Sequence, residues 1–165
     1  MAVANTKSTQ ITNADATPRL LTTSYIAGGL KRISRGTVET LVTDDAASVY
    51  RLVRLPSNAV IDHIWLASDA ITGASASDVG VYQTADNGGA VVDADFFATD
   101  VDISSATAFT DVILEATVTD KAKVEYRLWE LLGLTTDPVR DYDIAVTVND
   151  VTAAGTISMK VEWTV

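Results

Sequence analysis

The amino-acid sequence predicts an all-β protein: an antiparallel jelly-roll-like β-sandwich with one or two short helices and an extended N-terminal arm. Seven or eight short segments rich in β-branched and aromatic residues are separated by Gly- and Asn-containing turns, which is typical of a sandwich. The chain shows no long repeat and no second apolar core. Its 165 residues are enough for one core without a disulfide, and the chain has no cysteine. We divide it into an arm, residues 1–29, and one β-sandwich domain, residues 30–165.

The arm is predicted from composition. Residues 1–24 are rich in Thr, Ser, Asn and Ala, contain Pro18, and have no sustained period of two or 3.6. Gly28-Gly29 offers a hinge between arm and domain. The arm is either a disordered tail or a tether that orders on a neighbouring subunit, and its apolar residues fit the second case: Ile11, Leu20, Leu21, Tyr25 and Ile26.

The first part of the domain is predicted to form three strands. They cover residues 30–42, with a break at Gly36, residues 48–55, and residues 60–66. The third is apolar on both faces, which indicates a central strand. A loop over residues 68–77, made mostly of Ser, Ala, Asp and Gly, follows.

The middle of the domain is less regular. Residues 78–84 predict a short strand and residues 85–89 a turn. Residues 94–101 predict one helical turn capped by Asp93. Residues 109–118 are strand-like. Residues 121–132 fit either a strand or a helix, and we favour a short helix over residues 126–132 because Gly133 is a good helix stop.

The last two dozen residues have the cleanest period. Residues 142–148 and 157–165 each alternate apolar and mostly polar side chains, which predicts two half-buried strands. We predict that they form an antiparallel hairpin through a link that ends in Gly155. Because an isolated hairpin is marginal in water, the face that carries Trp163 must be covered by other strands.

Charge is unevenly distributed along the chain. The net charge is −10, but residues 1–60 hold seven Lys/Arg against four Asp/Glu, whereas residues 61–165 hold five against eighteen. This asymmetry suggests a basic arm on an acidic body, although an acidic surface also serves solubility alone. No aromatic is interleaved among Lys31, Arg32 and Arg35, and an acidic body would repel a phosphate backbone, so we expect no nucleic-acid partner and favour a salt-bridged protein interface. No apolar run approaches a membrane span and no signal peptide is evident, so we expect a soluble protein with no membrane partner.

Residues with chemical function are few. His63 is the single histidine, and the adjacent Asp62 lies on the opposite strand face, so a structural role for His63 is favoured over catalysis. No phosphate-binding or dinucleotide-binding motif is present. Four acidic residues bracket Phe96-Phe97 without EF-hand spacing and predict a solvated loop, with cation binding left open: Asp93, Asp95, Asp100 and Asp102. We therefore predict no catalytic set, no cofactor and no metal.

Several segments resemble the jelly-roll decoration or cement proteins that coat the capsids of tailed bacteriophages. The resemblance covers most of the chain, and none of the segments that carry it is a catalytic motif. These segments are Asn5-Thr6-Lys7-Ser8, Asp15-Ala16-Thr17-Pro18-Arg19, Val79-Gly80-Val81-Tyr82, Gly88 to Ala98, Leu128 to Leu134, Asp137-Pro138, Tyr142-Asp143-Ile144-Ala145 and Ala154-Gly155-Thr156.

The resemblance implies a non-enzymatic structural protein, made in the host cytoplasm, that binds the outside of the capsid and bridges capsomers. Its implied partners are the major capsid protein and further copies of itself, as a dimer or trimer. Another neck or tail component and a virion-displayed carbohydrate-binding module are the alternatives. The candidate capsid or oligomer contacts are Lys7, Ile11, Arg19, Leu20, Leu21, Tyr25, Lys31, Arg32 and Arg35.

Overall fold

Eight β-strands in the computed structural model form two four-stranded antiparallel sheets. The structure describes residues 6–150 and 153–165. The strands are β1 Arg32–Thr40, β2 Ser48–Pro56, β3 Val60–Ser68, β4 Ser77–Gln83, β5 Val91–Val101, β6 Thr107–Asp111, β7 Asp141–Val148 and β8 Gly155–Thr164. The α-helices are α1 Thr9–Asp15 and α2 Leu128–Leu131, and short 3₁₀ turns cover Ala85–Asn87 and Lys121–Lys123.

The strand order is that of a jelly roll. Sheet I has the order β1-β8-β3-β6 and sheet II the order β2-β7-β4-β5. Apart from β4 and β5, consecutive strands lie in different sheets, so the chain repeatedly crosses from one sheet to the other. The predicted all-β jelly-roll-like sandwich is confirmed.

The core lies between the sheets and is supplied by alternate residues of the central strands. On β8, Ile157, Met159, Val161 and Trp163 are buried, as the period of two predicts. On β3, Val60, Ile64 and Leu66 are buried, and β3 lies between β8 and β6 as a central strand should. Burial of these side chains is the main driving force for closing the two sheets.

The predicted C-terminal hairpin is wrong. β7 pairs with β2 and β4 in sheet II, whereas β8 pairs with β1 and β3 in sheet I. Gly155 is the first residue of β8, opposite Thr40, and is not a turn residue. Residues 151–152 of the predicted link lie outside the described residues. Both strands alternate apolar and polar side chains because each buries one face in the core between the sheets. Burial of one face does not determine which strand is the pairing partner.

Three further predictions are corrected. Residues 94–101 are not a helical turn but belong to β5, because Phe96, Phe97 and Ala98 are buried against β4. β6 ends at Asp111, so residues 112–118 are not strand; the Asp111 carboxylate accepts hydrogen bonds from the Ile64 and Ile113 amides and turns the chain. β1 is unbroken at Gly36, which pairs with Met159.

The remaining local predictions are confirmed with changed bounds. The helix predicted over residues 126–132 is the shorter α2, which begins after Arg127, whose backbone amide donates to the Glu130 carboxylate. The turn at residues 85–89 joins β4 to β5, with Gly88 and Gly89 at positive φ. The loop over residues 68–77 connects β3 to β4. In the arm, by contrast, the structure differs from the prediction: the short helix α1, capped by Ser8, lies where extended chain was predicted.

Candidate assembly surface

The arm folds on itself and not into the core. The Ser8 side chain accepts a hydrogen bond from the Ile11 amide at the start of α1, and Lys7 pairs with Asp15 at 2.7 Å. After α1, the Leu20 amide donates to the Asn13 carbonyl and bends the chain back. No residue of α1 is buried. The arm therefore has local hydrogen bonds but leaves its apolar side chains available.

Those apolar side chains surround a shallow hollow of about 310 Å³. Ile11, Leu20 and Leu21 line it together with Arg19, so the structure brings four of the predicted contact residues into one patch. Leu21 is 95% exposed, the highest value among the large apolar side chains of the described chain. An arm with this much exposed apolar surface is typical of a segment that binds another surface.

The root of the arm is tied to the domain at one end of sheet I. The Ser24 hydroxyl donates to the Val165 carbonyl at 3.2 Å. The Arg127 guanidinium lies 5.1 Å from the Tyr25 ring centre and 5.0 Å from that of Trp129, so it joins arm and domain through two cation–π contacts. A hydrogen bond to Glu130 holds Arg127 in place; it raises the pKa of Arg127 and lowers the pKa of Glu130.

The basic residues after the arm differ in how far they are engaged. Lys31 contacts Glu162 at 2.8 Å and Asp62 at 3.4 Å. The Arg32 guanidinium lies 5.3 Å from the Trp163 ring centre. Arg35 is exposed and makes no hydrogen bond or ion pair within the described residues. Lys31 and Arg32 thus serve the domain as well, and Arg35 is available to a partner.

The carboxylate of Glu162 lies between two lysines. Hydrogen bonds from Lys31 and Lys160 lower the pKa of Glu162 from 4.5 to about 2. Because the folded-state pKa lies below the ordinary value, the stabilisation is present above pH 4.5 and is lost as the pH falls towards 2.

Glu162→Gln is therefore expected to flatten the fall in melting temperature between pH 4.5 and 2, the interval set by the ordinary and folded pKa values. Thermal unfolding followed by circular dichroism across this range measures the slope. Glu125→Gln, at an exposed position with no ion pair in the described chain, is the matched control. Parallel slopes for wild type and Glu162→Gln would show that Glu162 keeps its ordinary pKa.

His63 has a partner that its sequence neighbours did not reveal. Its Nδ1 lies 2.6 Å from a carboxylate oxygen of Asp111, on the adjacent strand β6. The pair borders a cleft of about 430 Å³ between sheet I and residues 113–126. In the described part of the chain, no hydroxyl group hydrogen bonds to the other ring nitrogen of His63, so the pair lacks the arrangement of a nucleophile and its base.

The four acidic residues around Phe96-Phe97 do not form the predicted loop: they lie along β5 and at the residue after it. Burial and the neighbouring Asp95 carboxyl raise the pKa of Asp93. Hydrogen bonds from the Ser104 side chain and from its amide lower the pKa of Asp102. Residues 6–150 and 153–165 contain no group of three or more His, Asp or Glu side chains arranged to hold a metal ion.

No described helix has the length and apolar character needed to cross a membrane.

Two solved phage structures share this fold. A chain of the cyanophage Pam1 capsid asymmetric unit matches with a TM-score of 0.52 and 20% sequence identity, covering 100% of this chain and 99% of that one. A chain of the capsid of Ralstonia phage GP4 matches with a TM-score of 0.56 and 16% identity, covering 81% of this chain and 83% of that one. No family model and no curated protein matches the sequence. At these identities the likeness establishes a common fold: the jelly roll described above is also that of these two capsid chains.

Proposed function

We propose that the protein is a non-enzymatic structural component of a tailed-phage virion, which binds the outside of the capsid and bridges and stabilises its capsomers. The observation that carries the proposal is the end-to-end structural match to a chain of the cyanophage Pam1 capsid asymmetric unit. A match over the arm as well as the sandwich supports a similar use of the whole chain. The cement role agrees with the resemblance described from the sequence.

The arm is the element that we assign to attachment. It is tied to the domain mainly at Ser24 and Tyr25, and it presents Ile11, Leu20 and Leu21 away from the domain core. The basic side chains Lys7, Arg19 and Arg35 accompany these apolar groups. In this proposal the apolar contacts supply most of the affinity, and the charges orient the arm on an acidic neighbour.

Bridging follows from the connection between arm and domain. A domain that rests on one capsomer holds its arm close to the next, so the second contact forms at high effective concentration. Many weak contacts repeated over a shell then act together. Because the protein binds the assembled shell in preference to free capsomers, it must stabilise the shell by linkage.

Deletion of residues 1–24 tests the arm. The shortened protein is expected to remain folded, since none of the residues of α1 is buried, but to lose most of its binding to capsids that lack the protein. Co-sedimentation with purified shells measures bound copies per shell, and far-UV circular dichroism measures folding. Binding equal to that of the full chain would remove the arm from the attachment mechanism, and an unfolded product would place it in the sandwich.

A second candidate, carbohydrate binding by a virion-displayed sandwich, has one observation in its favour. The outer face of sheet I carries Trp65 beside His63, with ring centres 5.3 Å apart, and Phe109, which is 53% exposed. Lys160 lies 5.1 Å from the Trp65 ring centre and covers part of this face. A glycan array distinguishes the two functions. The cement role predicts no glycan-dependent signal, whereas carbohydrate binding predicts a signal that Phe109→Ala reduces.

A further inference from the structure

On the side of the sandwich formed by β5 and β6, a cleft of about 330 Å³ opens between the two sheets. We call it the seam. Leu66, Ile103 and Val112, each at most 4% exposed, form its floor. Leu114, which is 62% exposed, lies at its mouth. The seam gives a partner's apolar side chain direct access to core residues.

The rim of the seam and the sequence around it are acidic. Asp100, Asp102 and Asp111 border the opening. No Lys or Arg occurs between Arg54 and Lys121, whereas this stretch contains eleven Asp and Glu. Both β5 and β6 lie inside it. The seam therefore favours an occupant that combines apolar side chains with a positive charge.

The arm of the same protein has this combination. Arg19, Leu20 and Leu21 are consecutive, and the two leucines are 55% and 95% exposed. Arg19 makes no hydrogen bond or ion pair with other described residues. The segment is therefore a chemical match for an apolar cleft with a carboxylate rim.

A chain cannot place these leucines in its own seam. Ser24 is fixed to Val165, at the end of sheet I where Val60 pairs with Thr164. The seam opens near Leu66, six residues further along β3, which corresponds to roughly 20 Å of strand. Leu21 is three residues from Ser24, and three residues span at most about 11 Å. An arm that occupies the seam therefore comes from a second copy.

We propose that Leu20 and Leu21 of one copy insert into the seam of a second copy, with Arg19 against the carboxylates of Asp100 and Asp102. Donor and acceptor surfaces differ, so each copy gives one arm and receives one in a closed oligomer. The inference rests on the proposed function and deepens it: Leu20 and Leu21 join neighbouring copies across the shell, and Ile11, Tyr25 and the basic side chains Lys7 and Arg35 are left for the capsid surface itself. Its test uses purified protein without capsids, so its failure and a failure of capsid binding are separate results.

Two single variants block the two halves of the contact. Leu21→Asp places a charge on the inserted segment, and Leu114→Lys places a positive charge at the mouth, where it repels Arg19. Each is expected to weaken self-association by about 50-fold, the effect of losing one buried leucine. Both positions are exposed, so far-UV circular dichroism is expected to be unchanged. Val124→Asp, 75% exposed in the other large cleft, is the matched control and is expected to remain oligomeric.

The decisive experiment mixes the two blocked variants and measures mass by native mass spectrometry and sedimentation velocity. Each variant alone is expected to be a monomer. The mixture is expected to give a dimer with one copy of each, because the intact arm of Leu114→Lys fits the intact seam of Leu21→Asp. A monomeric wild type, an oligomeric Leu21→Asp, a monomeric Val124→Asp, or a mixture that contains only monomers would each overturn the proposal.

Discussion

Replacing Trp163 with alanine is expected to lower the free energy of unfolding by about 3–5 kcal/mol. The ring is 8% exposed, at the end of the buried row of β8. Its Nε1 donates to the Ser34 hydroxyl at 3.0 Å, and Arg32 lies over its face. The substitution removes apolar burial and leaves a cavity between β1 and β3, the two strands that flank β8.

Urea unfolding followed by fluorescence and circular dichroism measures the change. Val124→Ala is the control, because Val124 is 75% exposed and its truncation is expected to change stability by less than about 0.5 kcal/mol. A loss below about 1 kcal/mol for Trp163→Ala would place the indole outside the core and contradict the register of β8.

Replacing Gly36 with alanine is expected to cost about 3 kcal/mol or more, at the upper end of the range for overpacking. A Cβ at residue 36 would lie 1.8 Å from the Leu52 carbonyl oxygen, which belongs to the backbone of β2. β1 is one edge strand of sheet I and β2 is one edge strand of sheet II, and the two strands meet at this point. The methyl group can be accommodated only if the two edges separate.

Gly88→Ala separates this packing effect from the general cost of replacing glycine. Gly88 has a φ of 92° and open space around the Cβ position, so only backbone strain of about 1 kcal/mol is expected. Chemical denaturation of both variants gives the comparison. A loss for Gly36→Ala no larger than that for Gly88→Ala would show that the close approach of β1 and β2 is not required for stability.

The period of side chains was enough to predict which residues of β3 and β8 form the core. Alternation reports the face that a strand buries, and the two-sheet architecture follows from several such strands with no long helix. Pairing partners were not predictable in the same way. β7 and β8 are consecutive, yet the jelly roll places them in different sheets, and no short-range pattern distinguishes this from a hairpin.

Local signals failed where tertiary contacts decide the outcome. Asp93 before an apolar run resembles a helix cap, but Phe96 and Phe97 are buried by β4 in an extended conformation. The arm showed no helical period because α1 has no buried face to require one; its capping Ser8 was the available signal.

The candidate surface was predictable in part. Exposed apolar residues in a Thr- and Ser-rich arm indicated a contact segment, and the structure groups Ile11, Leu20 and Leu21 around one hollow. The anchor of the arm at Arg127 and the seam under Leu114 were not predictable, because each joins residues that are distant in sequence. The Arg127–Glu130 spacing of i and i+3 was the one sequence signal for the anchor.

The central claim is that the protein stabilises a phage shell by bridging its capsomers. The direct measurement is the rupture of capsids, with and without bound protein, on heating or osmotic shock at low and high salt. We expect decorated shells to rupture at a higher temperature, with only part of this gain lost at high salt. Salt screens interactions between charges beyond about 8 Å at physiological ionic strength, but it does not screen the apolar contacts of Ile11, Leu20, Leu21 and Tyr25. Equal rupture thresholds for bare and decorated shells would contradict the cement role, even if binding were observed.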